Sequence, residues 1–201
     1  MQEPSPKRPQ VRVPFLPVLV AAGGGLLVSF SPAAHAEEKK PFHFAHRGGS
    51  HEFEENTLGA FRGSYDAGVR GFETDVRMTN DGELVILHDD SLDRTHNGKG
   101  PVEKLTAEMA GKATSKKLGE PLLFLKDLLK YLADKPGMYV EFEMKTSNKD
   151  LYPDERIGEY VRKLHAAVTA DIPAGSNYIF TSFAPRPLQA LKSMDPTADI
   201  M

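Results

Sequence analysis

Short β-rich runs alternate with amphipathic helical patterns along this chain, and that alternation restricts the fold more than any other feature. A strand, a helix and a further strand close most readily into a parallel sheet covered by helices, so the expectation is an α/β fold. Apolar runs at Phe42 to Ala45, Gly71 to Val76, Leu84 to Leu87, Met138 to Met144 and Tyr178 to Phe183 predict five strands, with a sixth starting at Ala198. Between them, Leu58, Phe61 and Tyr65 mark one helix stripe, capped by Asn56 or Thr57 and stopped by Gly68. Leu122, Leu125, Leu129 and Leu132 mark a second stripe, and Ile157, Val161, Leu164 and Val168 a third. Leu188 and Leu191 mark a short fourth after Pro185 and Pro187. Ser91 to Glu120 has no clear period and carries Gly98, Gly100, Gly111 and five lysines. It reads as a solvated excursion with one short helix near Thr106 to Ala110.

The amino-terminal segment does not fit this alternation. Lys7, Arg8 and Arg12 precede an interrupted apolar run from Val13 to Phe30 and an Ala34-His35-Ala36 cleavage pattern, so residues 1–36 are expected to be an export signal. The run is broken by prolines and glycines, which argues against a retained membrane span. Residues 37–201 are then the folded domain of an exported protein, periplasmic or secreted, with no stable membrane span after cleavage. Of the 25 Lys+Arg and 28 Asp+Glu in the chain, the signal takes three cations and Glu3, leaving 22 against 27. A domain of net charge −5 without a basic stripe argues against a nucleic-acid partner. With no Cys, thiolate metal sites and cysteine nucleophiles are excluded.

Charged residues gather where parallel strands end. His46 and Arg47 follow the first strand, Glu73 and Asp75 lie in the second, His88 and Asp89 end the third, and Glu141, Glu143 and Lys145 lie in the fourth. Such edges are where α/β folds bind ligands. Side chains two apart share a strand face, so Glu73 and Asp75 point one way while Phe72, Thr74 and Val76 point toward covering helices. Glu141, Glu143 and Lys145 likewise share the inner face. Converging carboxylates need protons, cationic side chains or a metal, and a hard divalent cation such as Mg²⁺ or Ca²⁺ fits oxygen ligands best. A single Glu-x-Asp or His-Asp pair would mean little, since either is common on solvated surfaces. The same chemistry at four strand ends points to a site. His51, His96 and His165 are expected to be solvated.

These residues also carry a family resemblance. Ala45-His46-Arg47-Gly48-Gly49 and Glu55-Asn56-Thr57 resemble the opening signature of the glycerophosphodiester phosphodiesterases. Phe72-Glu73-Thr74-Asp75-Val76, Thr79-Asn80-Asp81-Gly82, Val85 to Asp89 and Leu92-Asp93-Arg94-Thr95 follow in the family's order, as do Glu143-Met144-Lys145 and Ser182-Phe183. The resemblance implies a TIM-barrel hydrolase that cleaves a small glycerophosphodiester to glycerol 3-phosphate and an alcohol. It implies Glu73, Asp75 and Glu143 as ligands of Ca²⁺ or Mg²⁺ and His46 and His88 as the acid/base pair. Arg47 and Lys145 would bind phosphate, with Glu55 and Asn56 supporting them. Parity leaves Glu141 and Glu143 equivalent; the resemblance selects Glu143. Glu54 stands where the family commonly has Pro, and His96 where it usually has Thr.

A closed barrel of this kind has eight strands and typically about 250 residues. Five strands and the start of a sixth give the expectation of a fragment or truncated product. The alternatives are a lysophospholipase D or sphingomyelinase D-like activity on lipids, and an inactive remnant that still binds metal.

Overall fold

The structure is a computed structural model and describes residues 43–201. The expected export signal and Phe42 lie outside the described residues. Five strands form one sheet: β1 (Phe44–Ala45), β2 (Gly71–Met78), β3 (Leu84–Ile86), β4 (Tyr139–Met144) and β5 (Asn177–Thr181). Helices α1 (Leu58–Asp66), α2 (Ala107–Ala110), α3 (Leu125–Leu132), α4 (Asp154–Thr169) and α5 (Pro185–Met194) complete the described elements, with short 3-10 turns at His46–Gly48 and Val102–Lys104. The sheet runs β1-β2-β4-β5 with parallel pairing, and a parallel bridge from Phe180 to Ile200 extends it where a sixth strand was expected.

β3 departs from the parallel expectation. It pairs antiparallel with β2, Val76 opposite Ile86 and Met78 opposite Leu84. The reason is the connection, since a parallel crossover needs a dozen or more residues and only Thr79 to Glu83 intervene. Gly82, at φ 90°, turns the chain, and the Thr79 N–H donates to Glu83 O at 2.8 Å. The hairpin doubles back, so the Leu87 N–H reaches Asp75 O at 2.9 Å and His88 arrives beside the C-terminal half of β2.

Alternation decides what each strand face meets. Phe72, Val76, Phe142 and Met144 are buried in the layer between sheet and helices, with the Phe142 ring 5.5 Å from Tyr178. α1 is capped by Thr57, whose hydroxyl accepts the Ala60 N–H at 3.2 Å, so of the two expected caps Asn56 is left for other work. α3 buries Leu125, Leu128 and Leu132. Leu122 lies before this helix, not on it, and packs in a second cluster. α4 buries Ile157, Val161, Leu164 and Val168 as its period predicts, and adds Tyr160, whose hydroxyl donates to Val76 O at 2.9 Å. α5 opens on Pro185, where no helical N–H is required.

The segment from Ser91 to Glu120 is not a solvated excursion. Leu92, Val102, Ala110 and Ala113 pack with Val85, Leu87 and Leu122 into a small core of their own. These apolar residues come from β3, short helical turns and the loops between them, not from one long helix or strand, so no period announces them. The expected short helix is α2, with Thr106 as its cap. Arg77 pins this unit to the sheet. Buried on β2, it donates to Glu103 Oε1 at 2.9 Å, Asp90 Oδ1 at 2.6 Å and the carbonyls of Leu87 and His88. Arg77→Ala would leave the Glu103 carboxylate, 1% exposed, without its cation. The expected loss is about 3–5 kcal/mol of stability, read by urea denaturation, and a loss under about 1 kcal/mol would contradict the pairing. Among the described residues no helix is long and apolar enough to cross a membrane.

Candidate active site

Strand register creates the site. β2 and β4 pair with Asp75 opposite Glu143 and Glu73 opposite Glu141. Oxygens of Glu73, Asp75 and Glu143 lie within 4.8 Å of one another. Glu141 sits one pair deeper and accepts the Tyr139 hydroxyl at 3.0 Å, so it does not join them.

Each of the three carboxylates spends one oxygen on the protein. Glu73 Oε2 accepts the Arg47 backbone N–H at 2.8 Å, Asp75 Oδ2 accepts Asn56 Nδ2 at 2.8 Å, and Glu143 Oε1 accepts Lys145 Nζ at 2.9 Å. Glu73 Oε1 and Asp75 Oδ1 are buried and have no hydrogen-bond partner. Buried polar oxygens in that state are rare in folded proteins. Hard oxygen donors held close together with lone pairs to spare fit a divalent cation such as Ca²⁺ or Mg²⁺. Burial, and then the charge of Asp75, push the Glu73 carboxyl up to about 8 from its ordinary 4.5.

The loop after β1 is shaped to serve this cluster. Arg47 and Asn56 both adopt left-handed backbone, at φ 52° and 57°, a conformation uncommon for residues with a side chain. Arg47 thereby turns its N–H to Glu73. Gly48 and Gly49 follow at φ 73° and 122°, and a Cβ on Gly49 would lie 2.3 Å from Ser64 Oγ, so glycine is required there. His46, more than half exposed, holds Nε2 3.7 Å from Glu73 Oε2. Burial and the neighbouring Arg47 charge lower its pKa below the usual 6.5, against the pull of Asp75 and Glu143.

Two cavities flank the carboxylates. One of about 430 Å³ is lined by His46, Glu73, Glu143, Thr181 and Ser182. The other, about 380 Å³, is lined by His88, Asp89, Lys145 and Ser147. Lys145 Nζ stands 3.6 Å from Asp75 Oδ1, and Arg47 Nε is 3.7 Å from Asp75 Oδ2 without a hydrogen-bond partner. Every site residue singled out from the sequence therefore lies in or around one cluster: His46, Arg47, Glu55, Asn56, Glu73, Asp75, His88, Glu143 and Lys145.

A family model for the glycerophosphoryl diester phosphodiesterase family matches residues 46–201. The chain belongs to that family. A glycerophosphodiester phosphodiesterase of Caldanaerobacter subterraneus is 33% identical over 160 residues, covering 76% of this chain and 62% of the relative. One from Bacillus altitudinis is 30% identical, covering 76% and 66%. Among solved structures, an Oleispira antarctica phosphodiesterase in complex with the product sn-glycerol-3-phosphate superposes with TM-score 0.69 at 25% identity, covering 80% of this chain and 64% of that one. A glycerophosphodiester phosphodiesterase from Agrobacterium tumefaciens superposes with TM-score 0.60 at 27% identity, covering 79% and 64%. This chain thus spans a little under two thirds of these structures, and its β1-β2-β4-β5 sheet is the corresponding part of the family's TIM barrel.

Two of the three histidines expected to be solvated are not. His96 is 3% exposed, its Nδ1 2.8 Å from Thr95 Oγ1, inside the small core unit that the aperiodic segment hid. His165 pairs with Asp195 at 3.0 Å and lies against the Phe180 ring, because α4 and α5 pack side by side. His51 is exposed as expected. Sequence reasoning gave no role to Arg94, which bonds both Glu55 and Asp89. Its signal was present in the Leu92-Asp93-Arg94-Thr95 motif, within a segment read as solvated.

Proposed function

We propose that this chain hydrolyses small glycerophosphodiesters to glycerol 3-phosphate and an alcohol, with Ca²⁺ or Mg²⁺ held by Glu73, Asp75 and Glu143. The observation that carries the reading is the pair of orphaned buried oxygens on Glu73 and Asp75, within a cluster of three carboxylates in a chain of this family. When bound, the cation neutralises the carboxylates and polarises a phosphoryl oxygen. Arg47 and Lys145 orient the diester and offset the charge that develops on phosphate. The two histidines line separate cavities, His46 with Glu73 and Glu143 and His88 with Lys145, so two imidazoles are available to the attacking and leaving oxygens. One imidazole takes the proton of the attacking hydroxyl at its free nitrogen, and the other delivers a proton to the leaving alkoxide.

Release of glycerol 3-phosphate from glycerophosphocholine, abolished by chelation and restored by divalent cation, is the expected result. Turnover of acyl-bearing lysophospholipids only, or of neither substrate, would overturn the reading. We propose further that residues 1–36 direct export and that residues 37–201 are the domain. An amino terminus beginning at Glu37 in the exported protein is the expected outcome, and retention of Met1 in that protein would contradict it.

The raised Glu73 pKa adds a prediction about protons. In the metal-free protein the group is protonated at pH 7, so divalent binding should release a proton, with uptake heats that differ between buffers of different ionisation enthalpy. The sign for stability follows from a folded pKa above the unfolded one. The contribution of Glu73 is fully present below about 4.5 and is lost as pH rises through about 8. Metal-free protein should therefore melt lower at pH 8.5 than Glu73→Gln does. Equal melting of the two would contradict the assignment.

A further inference from the structure

Arg94 lies outside the metal and acid/base sets, yet it joins them. Its guanidinium donates from NH1 to Glu55 Oε2 at 2.7 Å and from NH2 to Glu55 Oε1 at 2.7 Å. It also donates from Nε to Asp89 Oδ2 at 2.5 Å and from NH2 to Asp89 Oδ1 at 2.9 Å. Glu55 Oε1 in turn accepts Arg47 NH1 at 3.1 Å, and Asp89 Oδ1 stands 2.7 Å from His88 Nδ1. One guanidinium is thus clamped between two carboxylates, one holding the phosphate-binding arginine and the other a catalytic imidazole. Only a planar fork with donors on two edges can bridge both in this way.

We infer that Arg94 is the positioning residue that sets the tautomer and orientation of His88 and couples them to Arg47. The inference rests on the reading of His88 as half of the acid/base pair. Asp89 is kept ionised, with a carboxyl well below the ordinary range, by the hydrogen bonds of Arg94 and then of His88, which outweigh burial. An ionised carboxylate only accepts, so His88 keeps a hydrogen on Nδ1 and has Nε2 left for proton exchange with the substrate. The same division of labour between a carboxylate and an imidazole operates in the serine-protease triad. The remaining charged groups around that cavity are Arg77, Asp90 and Lys145. Arg77 and Asp90 are paired with each other, and Lys145 with Glu143, so none of them replaces Arg94 on Asp89. Arg94 comes from the unit at Ser91 to Glu120, whose core and Arg77 anchor then have a purpose in the site: they hold the fork at the correct distance from both carboxylates.

The test uses the full chain loaded with divalent cation. In Arg94→Ala, kcat on glycerophosphocholine should fall by about 10–100-fold, the range usual for an outer residue that orients a site's functional groups. Methylguanidinium in the buffer should recover part of it, whereas methylammonium should not. Arg94→Lys keeps the charge but not the fork and should stay closer to Ala than to wild type. Independently of turnover, ¹⁵N resonances of His88 should report the Nδ1–H tautomer in wild type and a mixture of tautomers in Arg94→Ala. An unchanged His88 tautomer in a folded Arg94→Ala protein overturns the inference, as does a kcat within twofold of wild type. Absence of hydrolysis by wild type would instead defeat the proposed function, and the imidazole resonances would still decide the role of Arg94.

Discussion

Asp75→Asn is expected to abolish hydrolysis, a loss on the order of 10³-fold or more, while leaving the metal-free protein at least as stable as wild type. Asp75 is fully buried, and its Oδ1 is one of two orphaned oxygens facing the cluster. An amide of the same shape can still accept the Asn56 Nδ2 hydrogen through its carbonyl, so the local hydrogen bond survives. What disappears is a negative charge beside Glu73, where Asp75 is the second-largest influence, after burial, raising the Glu73 pKa. Relief of like charge offsets the lost attraction to Arg47 and Lys145, which lie at 3.7 and 3.6 Å. Catalysis has no such compensation, because the carbonyl is spent on Asn56, the amide nitrogen that replaces Oδ1 cannot ligate a cation, and the phosphate must then approach an incomplete charge cluster. A divalent cation at 100 times its dissociation constant should stabilise wild type by about 2.7 kcal/mol and leave the variant unmoved at the same concentration. Thermal melts with and without cation, beside glycerol 3-phosphate release, measure both halves. A variant that retains cation-dependent stabilisation would remove Asp75 from the metal site.

Strand parity made the inner face legible, because alternation on a strand is a local rule. Parity put Glu73 and Asp75 on one face of their strand and Glu141 and Glu143 on one face of theirs, the family resemblance selected Glu143 from that pair, and the observed register sets Asp75 against Glu143. What parity could not supply was the direction of β3. His88 reaches the site because a hairpin folds back, not because a third parallel strand ends there, and the brevity of Thr79 to Glu83 was the available clue. Two arginines were hidden for a related reason. Arg77 continues the inner face of β2 past the expected strand end, and Arg94 belongs to a unit whose small core is assembled from β3, short helical turns and loops that share no period. Both make their bonds to residues distant in the chain, among them Glu103 and Glu55, and spacing along a sequence carries no record of such pairs. Asn56 shows the opposite case. Either it or Thr57 satisfied the capping rule, and only the fold, by giving the cap to Thr57, freed Asn56 for Asp75.

The second large effect concerns the two imidazoles and separates their roles. His46→Ala and His88→Ala should each lower kcat by about 10²–10⁴-fold without changing divalent affinity, since neither belongs to the three-carboxylate cluster. Their environments differ in a way that orders the proton transfers. Burial and Arg47 hold the His46 pKa below 6.5, so the ring is neutral at pH 7 and able to accept a proton. A cation on Glu73, whose Oε2 lies 3.7 Å from His46 Nε2, adds positive charge and acts in the same direction. On the proposed chemistry His46 is then the base, and kcat/KM should rise with pH through a value below 6.5, a limb that vanishes in His46→Ala. On the proposed chemistry His88, its Nδ1–H held by the Asp89 carboxylate, is left as the acid, and in its doubly protonated form it gives the Nε2 proton to the leaving alkoxide. A diester with an aryl leaving group of low pKa does not need that proton, so it should restore most of the rate to His88→Ala and little to His46→Ala. Restoration of His46→Ala instead would reverse the two assignments. Recovery of neither variant would mean that neither imidazole protonates the leaving group, leaving Lys145, which lines the same cavity as His88, as the remaining donor.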